Sequence, residues 1–332
     1  MTDRAYEHDY DAAAEHAPGP LADRVEPAPS RLRRLLDSDL WASFIRSKVT
    51  VVAAAVTLTL MSAAVLAPAI APTNPHDPAS LNLMNGFTPP LAPNAFTGES
   101  FLMGTDDQGR DVFSAILYGL RISLFVGVMA VALAMLIGVT LGLIAGYVGG
   151  WIDAVIMRVA DIQLTFPSIL VAMLIFGIAK GFTPPDMRDE MAIWVLILAI
   201  GLSDWVQFAR TVRAAAMVEA KKEYVAAARL IGRAPGAIML RHVAPNTMGP
   251  VLVIATISLA LAIIAEATLS FLGVGAPPTE PSLGTLIRIG QGFLFSGEWW
   301  ILFFPAATLL LLALSVNLLG DWLRDALNPR LR

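Results

Sequence analysis

Few side chains of this chain have the types and spacing that catalysis needs. Four histidines occur in the 332 residues, too far apart in sequence to pair as metal ligands: His8, His16, His76 and His242. The sequence contains no cysteine, which removes thiolate chemistry and disulfides. None of its lysines follows a glycine, so the Gly-Lys-Ser/Thr sequence of a phosphate-binding loop is missing. We therefore expect no catalytic residue and no cofactor on this chain, and a partner would have to supply any energy from ATP.

Acidic residues form two further candidate sites. Asp106, Asp107 and Asp111 lie close together, but their spacing differs from that of an EF-hand calcium loop. Arg110 lies among them, so we predict no metal site there. Glu266 lies in an apolar segment, where a charged side chain costs about 2.5–3.5 kcal/mol at the membrane centre. A proton relay would need a facing His, Lys or Arg in another apolar segment, so a structural hydrogen bond is the favoured interpretation.

The most informative segment is a charged stretch between two apolar ones, from Glu223 to Asn246. Apolar and small residues at helical spacing predict a helix face formed by Tyr224, Ala227, Ala228 and Ile231. Gly232 is suited to end this helix with a left-handed cap, and Pro235 to open a second one. Pro245 is expected to end that second helix.

Two interpretations of this charged segment are open. It could be an amphipathic helix that rests on lipid headgroups, roughly in the plane of the membrane. Its alanine-rich face has too little Leu, Phe or Trp for strong binding to lipid. Docking into a groove of a partner protein is therefore the favoured interpretation.

Long apolar runs must position this segment. Hydrophobic residues make up 56% of the chain and charged residues only 15%, outside the usual proportions of globular proteins. A membrane core of about 30 Å needs about 20 helical residues. The predicted transmembrane helices are Val49–Ala71, Ile122–Val148, Ile162–Ala179, Met191–Ala209, Met248–Val274 and Trp299–Gly320.

The basic residues decide the predicted topology. Met191–Ala209 is the weakest of the six segments because it includes Asp204 and Gln207. When it is kept, most of the 23 Lys and Arg residues fall on the side of the two termini, as the positive-inside rule requires for the cytoplasm. The predicted fold is therefore an all-α integral membrane protein with six transmembrane helices and cytoplasmic N and C termini.

The rest of the chain completes this organisation. Residues 1–40 are rich in acidic residues and proline, which predicts a disordered cytoplasmic tail. The other predicted parts are the first transmembrane helix at 41–71, a proline-rich extracytoplasmic loop at 72–121, a five-helix core at 122–320 that contains the cytoplasmic segment 210–247, and a cytoplasmic tail at 321–332. The outer loop is long for a bare connection, so a binding role is favoured over a spacer.

A stripe of glycines marks the second predicted helix. Gly138, Gly142 and Gly146 occupy every fourth position. Such a stripe lets a neighbouring helix approach closely. Helix packing is therefore favoured over a pore-lining role.

The charged segment resembles the coupling motif of the integral-membrane permease subunits of bacterial ABC importers. That motif contains Glu-Ala-Ala, then a glycine and, further on, a proline. The matching positions here are Ala226, Ala227, Ala228, Gly232 and Pro245, with Ala226 in place of the glutamate.

Other segments are similar to the dipeptide, oligopeptide and nickel branch of that family. They are YVAAARLIG at 224–232, RHVAPN at 241–246, MGTDDQGRDVFS at 103–114, EATLSFLG at 266–273 and NLLGDWLRDALNPRL at 317–331. The likeness covers residues 40–332.

The resemblance implies a "C"-type permease subunit of the bacterial inner membrane, with the MetI-like fold. Such a subunit forms half of a translocation pathway for di- and oligopeptides and is not itself an enzyme. The implied partners are a homologous "B"-type permease, two cytoplasmic ATPases that hold ATP and magnesium, an extracytoplasmic solute-binding protein and the lipid bilayer, with no nucleic acid.

The resemblance also implies roles for individual residues. The expected ATPase-coupling residues are Tyr224, Ala227, Ala228, Arg229, Gly232, Arg233 and Pro245. The expected binding-protein docking residues are Gly104, Thr105, Asp106, Gly109 and Arg110. No catalytic residue or metal ligand is implied.

Other functions remain open at this point. Similar subunits handle nickel complexes, opines or glutathione. An ion-coupled secondary carrier would need charged residues that converge at the membrane midplane, and the apolar segments hold few. A scaffold that moves nothing would purify without ATPases or a binding protein.

Overall fold

The computed structural model describes residues 39–77 and 81–327, and its regular structure is helical. The α-helices are α1 (Asp39–Arg46), α2 (Lys48–Val65), α3 (Ala67–Ile70), α4 (Val112–Val148), α5 (Gly150–Leu164), α6 (Ser168–Phe182), α7 (Arg188–Glu219), α8 (Glu223–Leu230), α9 (Pro235–Ile238), α10 (Ala244–Asn246), α11 (Met248–Phe271), α12 (Leu283–Gln291) and α13 (Trp300–Leu327). Short 3-10 turns lie at Leu83–Asn85, Pro185–Met187 and Leu294–Ser296, and a π-helical turn at Met239–Val243. Within these ranges the only β pairing is two isolated bridges, Pro93 with Ser100 and Thr105 with Asp111.

Five of these helices are long and apolar enough to cross a membrane, namely α2, α4, α7, α11 and α13. Helices α5 and α6 qualify only as a pair, and their axes differ by 97°. The prediction of an all-α membrane protein is confirmed. The remaining predicted span, Ile162–Ala179, falls on this bent pair.

The predicted third span, Ile162–Ala179, is not a continuous helix. α5 ends at Leu164 and α6 begins at Ser168, directly after Pro167. A proline has no backbone N–H to donate and disfavours helical geometry in the residue before it. The proline therefore breaks the span that the apolar run predicted as one piece.

Helix α4 begins at Val112, well before the predicted start at Ile122. The Asp111 carboxylate caps it by accepting from the Ser114 backbone N–H at 2.9 Å and from the Ser114 hydroxyl at 2.6 Å. The predicted outer loop, 72–121, therefore ends at Asp111. With 37 residues, α4 is about 55 Å long.

Helix α7 continues past the predicted end of its span at Ala209 as far as Glu219. The two arginines of this extension pair with α5: Arg213 binds Asp153, with Nη2 2.7 Å from Oδ2, and Arg210 binds Asp161. The first part of the predicted cytoplasmic segment 210–247 thus belongs to a membrane helix.

Helix α13 likewise continues past Gly320 to Leu327, into the predicted tail 321–332. Gly320 lies against α11, where an added Cβ would be 3.2 Å from Thr256 Oγ1, so this glycine serves close packing rather than a stop. Residues 1–38 and 328–332, which hold most of the predicted tails, lie outside the described residues. The contacts between residues divide the chain into two compact units, with the boundary after Ser43. The structure described below is that of the unit that begins at Phe44.

Packing along α4 defines two ends of the helical bundle. Near its start, an added Cβ at Gly119 would lie 3.2 Å from the Leu283 backbone N–H. Near its other end, Tyr147 lies beneath Arg229, with the guanidinium 5.6 Å from the ring centre. We call residues 81–111 and 272–299 the loop end, and residues 219–247 the coupling segment at the opposite end.

Candidate functional site

The coupling segment has the helix and glycine cap that its sequence predicts. Helix α8 ends at Leu230, and Gly232 follows with a φ of +80°. The Arg233 backbone N–H then donates to the Ala228 carbonyl at 3.2 Å. Only glycine adopts this φ without strain, so the turn depends on that residue.

Helix α8 divides its apolar residues between two faces. Val225 and Ala228 are buried against α4, α7 and the chain that follows α8. Leu230 and Ile231 are 89% and 79% exposed. The prediction that Ala228 shares an outward face with Tyr224 and Ala227 is therefore wrong, because the side of α8 that contains Ala228 packs against the bundle.

Tyr224 ties α8 to the helices on either side. Its hydroxyl donates to the Glu219 carboxylate at the end of α7, at 2.6 Å, and accepts from Asn246 Nδ2 at 3.0 Å. Asn246 also donates to the His242 carbonyl at 2.9 Å. Burial, with the bond to Glu219, raises the pKa of Tyr224, so the hydroxyl stays a donor at neutral pH.

Basic side chains provide two more contacts of the coupling segment. Arg229 lies over the ring of Tyr147, a cation–π contact with the end of α4. Arg233 Nη1 lies 3.5 Å from His242 Nε2. Together with Tyr224, these contacts join α8 to α4, α7 and the chain before α11.

The sequence predicted that Pro245 ends the second helix, but the structure shows that it does not. It lies in α10, directly after the π-helical turn at Met239–Val243, and the chain stays helical into α11 after a single residue, Thr247. A proline in the first turn of a helix needs no N–H partner, and the wider π turn leaves room for its ring.

The three glycines of the stripe face α7. An added Cβ at Gly138 would lie 2.5 Å from Phe208 Cβ, and one at Gly142 would overlap the Ala209 backbone. Gly146 faces α7 in the same way. The structure thus places the stripe between two helices, where only a hydrogen atom fits.

The five residues expected to dock a binding protein are all buried: Gly104, Thr105, Asp106, Gly109 and Arg110. They cannot form a contact surface in this structure, and the prediction is corrected. Asp106 accepts from the backbone N–H groups of Gln108 and Arg110 at 2.9 Å each, and from Arg110 Nε at 2.6 Å. These hydrogen bonds within the loop hold its shape.

Sequence reasoning missed the supports of this loop. Trp300 donates its Nε1–H to the Thr105 carbonyl at 3.0 Å. Asn94 Nδ2 donates to Thr88 Oγ1 at 2.7 Å, and the Thr88 N–H donates to Thr105 Oγ1 at 2.8 Å. Nothing in the local sequence links Trp300 to a loop 195 residues earlier.

Glu266 is fully buried and joins three helices. Its carboxylate accepts from the Ser123 hydroxyl of α4 and from the Ser270 hydroxyl of α11, each at 2.7 Å. Ser123 Oγ in turn accepts from the Leu283 N–H at the start of α12, at 3.3 Å. No Lys, Arg or His in the described ranges bonds to it, which fits the structural interpretation.

Comparisons with known proteins identify the family. Residues 138–332 match the binding-protein-dependent transport system inner membrane component, and residues 38–94 match the N-terminal TM domain of oligopeptide transport permease C. This chain belongs to that first family. It is a permease.

Three relatives show how far the likeness extends. The permease is 40% identical over 294 residues to the dipeptide transport system permease protein DppC of Escherichia coli, which covers 89% of this chain and 93% of the relative. It is 34% identical over 320 residues to the di/tripeptide transport system permease protein DppC of Pseudomonas aeruginosa, covering 96% and 98%. With the dipeptide transport system permease protein DppC of Haemophilus influenzae the identity is 35% over 296 residues, covering 89% and 95%.

Family and structure agree on what kind of protein this is. The permease is a multi-pass protein of the inner membrane and a membrane-spanning transport subunit of an ABC importer. In the described part of the permease, no group of three or more His, Asp or Glu side chains could hold a metal ion.

Proposed function

We propose that this permease forms half of the path by which short peptides cross the inner membrane, paired with a homologous "B"-type permease. Its relatives over most of its length are named as dipeptide and di/tripeptide permeases, which supports this cargo. The coupling segment and both termini would face the cytoplasm, and the loop end the opposite side. The concentration of basic residues in the coupling segment supports that orientation.

The importer would contain two cytoplasmic ATPases, which hold ATP and magnesium, and an extracytoplasmic solute-binding protein. The observation that carries this proposal is the exposed apolar tip formed by Leu230 and Ile231. Burying one such side chain fully stabilises a complex by about 1.5–3 kcal/mol. A groove on an ATPase would bury both.

The contacts of α8 suggest how the ATPases would drive transport. A push on the tip would be passed to α7 through Tyr224 and Glu219, and to α4 through Arg229 and Tyr147. Because α4 and α7 run through the bundle, their movement would switch the path between inward-open and outward-open states. In this proposal, Ala227, Gly232 and Arg233 border the contact, and Ala228 and Pro245 support it from behind.

The test replaces Gly232 with valine. A non-glycine residue at this φ costs about 1–2 kcal/mol, so the turn after α8 should shift and move the tip. An added Cβ would meet no atom within 4 Å, so the rest of the fold should not change. In vesicles that contain the whole importer, we expect ATP hydrolysis to continue while peptide uptake falls.

The matched control is Gly98→Val in the loop end. Gly98 has a similar φ of +73°, and an added Cβ there also meets nothing within 4 Å. It should leave coupling intact. Undiminished uptake in the Gly232→Val importer would count against the proposed role of the coupling segment.

A further inference from the structure

A cavity of about 690 Å³ lies between α2 and the first half of α4, next to the loop end, which contributes Glu280 to its lining. Most of its lining is apolar and includes Met61 of α2 and Phe125 and Met129 of α4. Four polar residues also line it: His76, Tyr118, Arg121 and Glu280. Its volume lies within the usual range of about 300–1,000 Å³ for small-molecule sites.

Two opposite charges in this cavity are unused. In the part of the chain that the structure describes, neither Arg121 nor Glu280 forms an ion pair, and neither side chain makes a hydrogen bond. Both residues are exposed. They line one cavity without neutralising each other, so a ligand with two separated charges of opposite sign would complement both.

The polar wall is held in place by contacts between distant segments. His76 Nδ1 lies 2.9 Å from the Thr279 carbonyl, next to Glu280. The imidazole also packs edge-on against the Tyr118 ring, with centroids 5.0 Å apart. The chain after α3 thereby joins Tyr118 of α4 to the segment that contains Glu280.

The dimensions of the cavity fit a short chain. Tyr118 and Met129 lie at its two limits on α4 and are about 16 Å apart along the helix. Arg121 lies one turn from Tyr118, and His76 joins Tyr118 to Thr279, the neighbour of Glu280, so both charges lie toward the same end of the cavity. An extended dipeptide spans about 7 Å, so its two termini fit this polar end while its side chains reach the apolar wall.

We propose that this loop-end cavity binds a short zwitterionic peptide during transport, with Arg121 holding its carboxylate and Glu280 its ammonium group. The apolar wall would take the side chains. This inference rests on the proposed peptide cargo and adds a specific site for it. A zwitterionic phospholipid carries the same pair of charges, and the experiment below separates the two ligands.

The experiment uses the absence of cysteine in this chain. A single cysteine replaces Val128 in the cavity, and in a control it replaces Leu198 of α7, outside it; the two positions are 45% and 41% exposed. The whole importer in vesicles, with cysteine-free partner subunits, is treated with a small methanethiosulfonate reagent. We expect dialanine to slow the reaction of Val128→Cys but not that of Leu198→Cys. Acetylated and amidated dialanine, which lacks both charges, should not protect.

Substitution of the charged residues then tests their roles. Arg121→Ala or Glu280→Gln should raise the dialanine concentration needed for protection by about tenfold or more, the effect of one lost charge-assisted hydrogen bond. Arg121→Lys should retain most of the protection. Arg188→Ala, at an exposed arginine outside the cavity, is the matched control and should change nothing.

Peptide uptake is measured in parallel. If peptide is taken up but the Val128→Cys cysteine reacts at the same rate with and without dialanine, the site is overturned and the proposed function stands. No uptake of any peptide by the unaltered importer would overturn both. If Val128→Cys does not assemble, Met61→Cys on the opposite wall serves the same purpose.

Discussion

The loop end and the coupling segment of this permease are constructed in opposite ways. At the loop end, polar side chains such as Asp106 and Arg110 are buried and bonded to one another. In the coupling segment, the apolar side chains of Leu230 and Ile231 face outward. The loop end therefore encloses a buried ion pair within one chain, whereas the coupling segment presents an apolar tip that we propose an ATPase covers.

The largest expected effect tests how far the stability of the loop end depends on its buried ion pair. Asp106→Ala leaves the Arg110 charge buried without its partner and removes the acceptor of two backbone N–H groups. Breaking a buried pair in this way costs about 3–5 kcal/mol. The measurement is the free energy of unfolding of the purified permease in detergent.

The control for that experiment is Asp161→Ala. Asp161 pairs with Arg210, but about half of each side chain is exposed. Exposed pairs contribute about 0–1 kcal/mol, so this variant should be almost as stable as the parent. Equal losses from the two substitutions would show that the loop end does not depend on its buried pair.

A smaller effect, on binding rather than folding, tests the coupling segment. Leu230→Asp should leave the stability of the permease unchanged, because the side chain is 89% exposed. It should weaken binding of the ATPases by about thirtyfold, the effect of losing one interface hot spot of about 2 kcal/mol. The affinity of purified ATPase for permease in nanodiscs is the measurement.

Leu83→Asp provides the comparison at the loop end, since Leu83 is 75% exposed. It should not affect ATPase binding. If both substitutions weakened the complex equally, the contrast between the two regions would be lost.

The smallest effect concerns Asp107, whose pKa is raised by burial and by the neighbouring Asp106. A raised pKa in the folded state favours the protonated form. The contribution of Asp107 to stability is thus greatest below its ordinary pKa of about 3.9 and is lost as the pH rises through the folded-state pKa.

Asp107→Asn should therefore make the permease slightly more stable at neutral pH and leave its stability unchanged at about pH 3. Unfolding of both proteins at the two pH values checks this. Asp186→Asn, on an exposed turn, shows whether loss of any acidic charge has the same effect. A gain that does not depend on pH would contradict the proposed cause.

Much of the fold could be predicted because a long run of apolar residues is enough to identify a helix that crosses the membrane. The apolar runs predicted helices that the structure has, and Gly232 predicted the cap after α8. The start of α4 also had a local signal, since aspartate is a preferred N-cap residue and Asp111 directly precedes the helix. Apolar composition alone places that start too late, at Ile122 rather than Val112.

What could not be predicted depends on contacts between distant residues. The sequence shows that Asp106 and Arg110 are polar, but not that Trp300 and Thr88 enclose the loop that holds them. The outward direction of Leu230 depends on how α8 rotates when Val225 packs against the bundle. Spacing within eight residues does not determine that rotation.

The length of α4 has a mechanical consequence. This helix contains no proline, carries Arg121 near one end and reaches Tyr147 at the other, over about 55 Å. A rod without a hinge turns as a whole. A tilt of a few degrees imposed beneath Arg229 would therefore displace the far end by several ångströms. A movement driven at the coupling segment and a change in the cavity beside Arg121 would then be two parts of one rigid-body rotation.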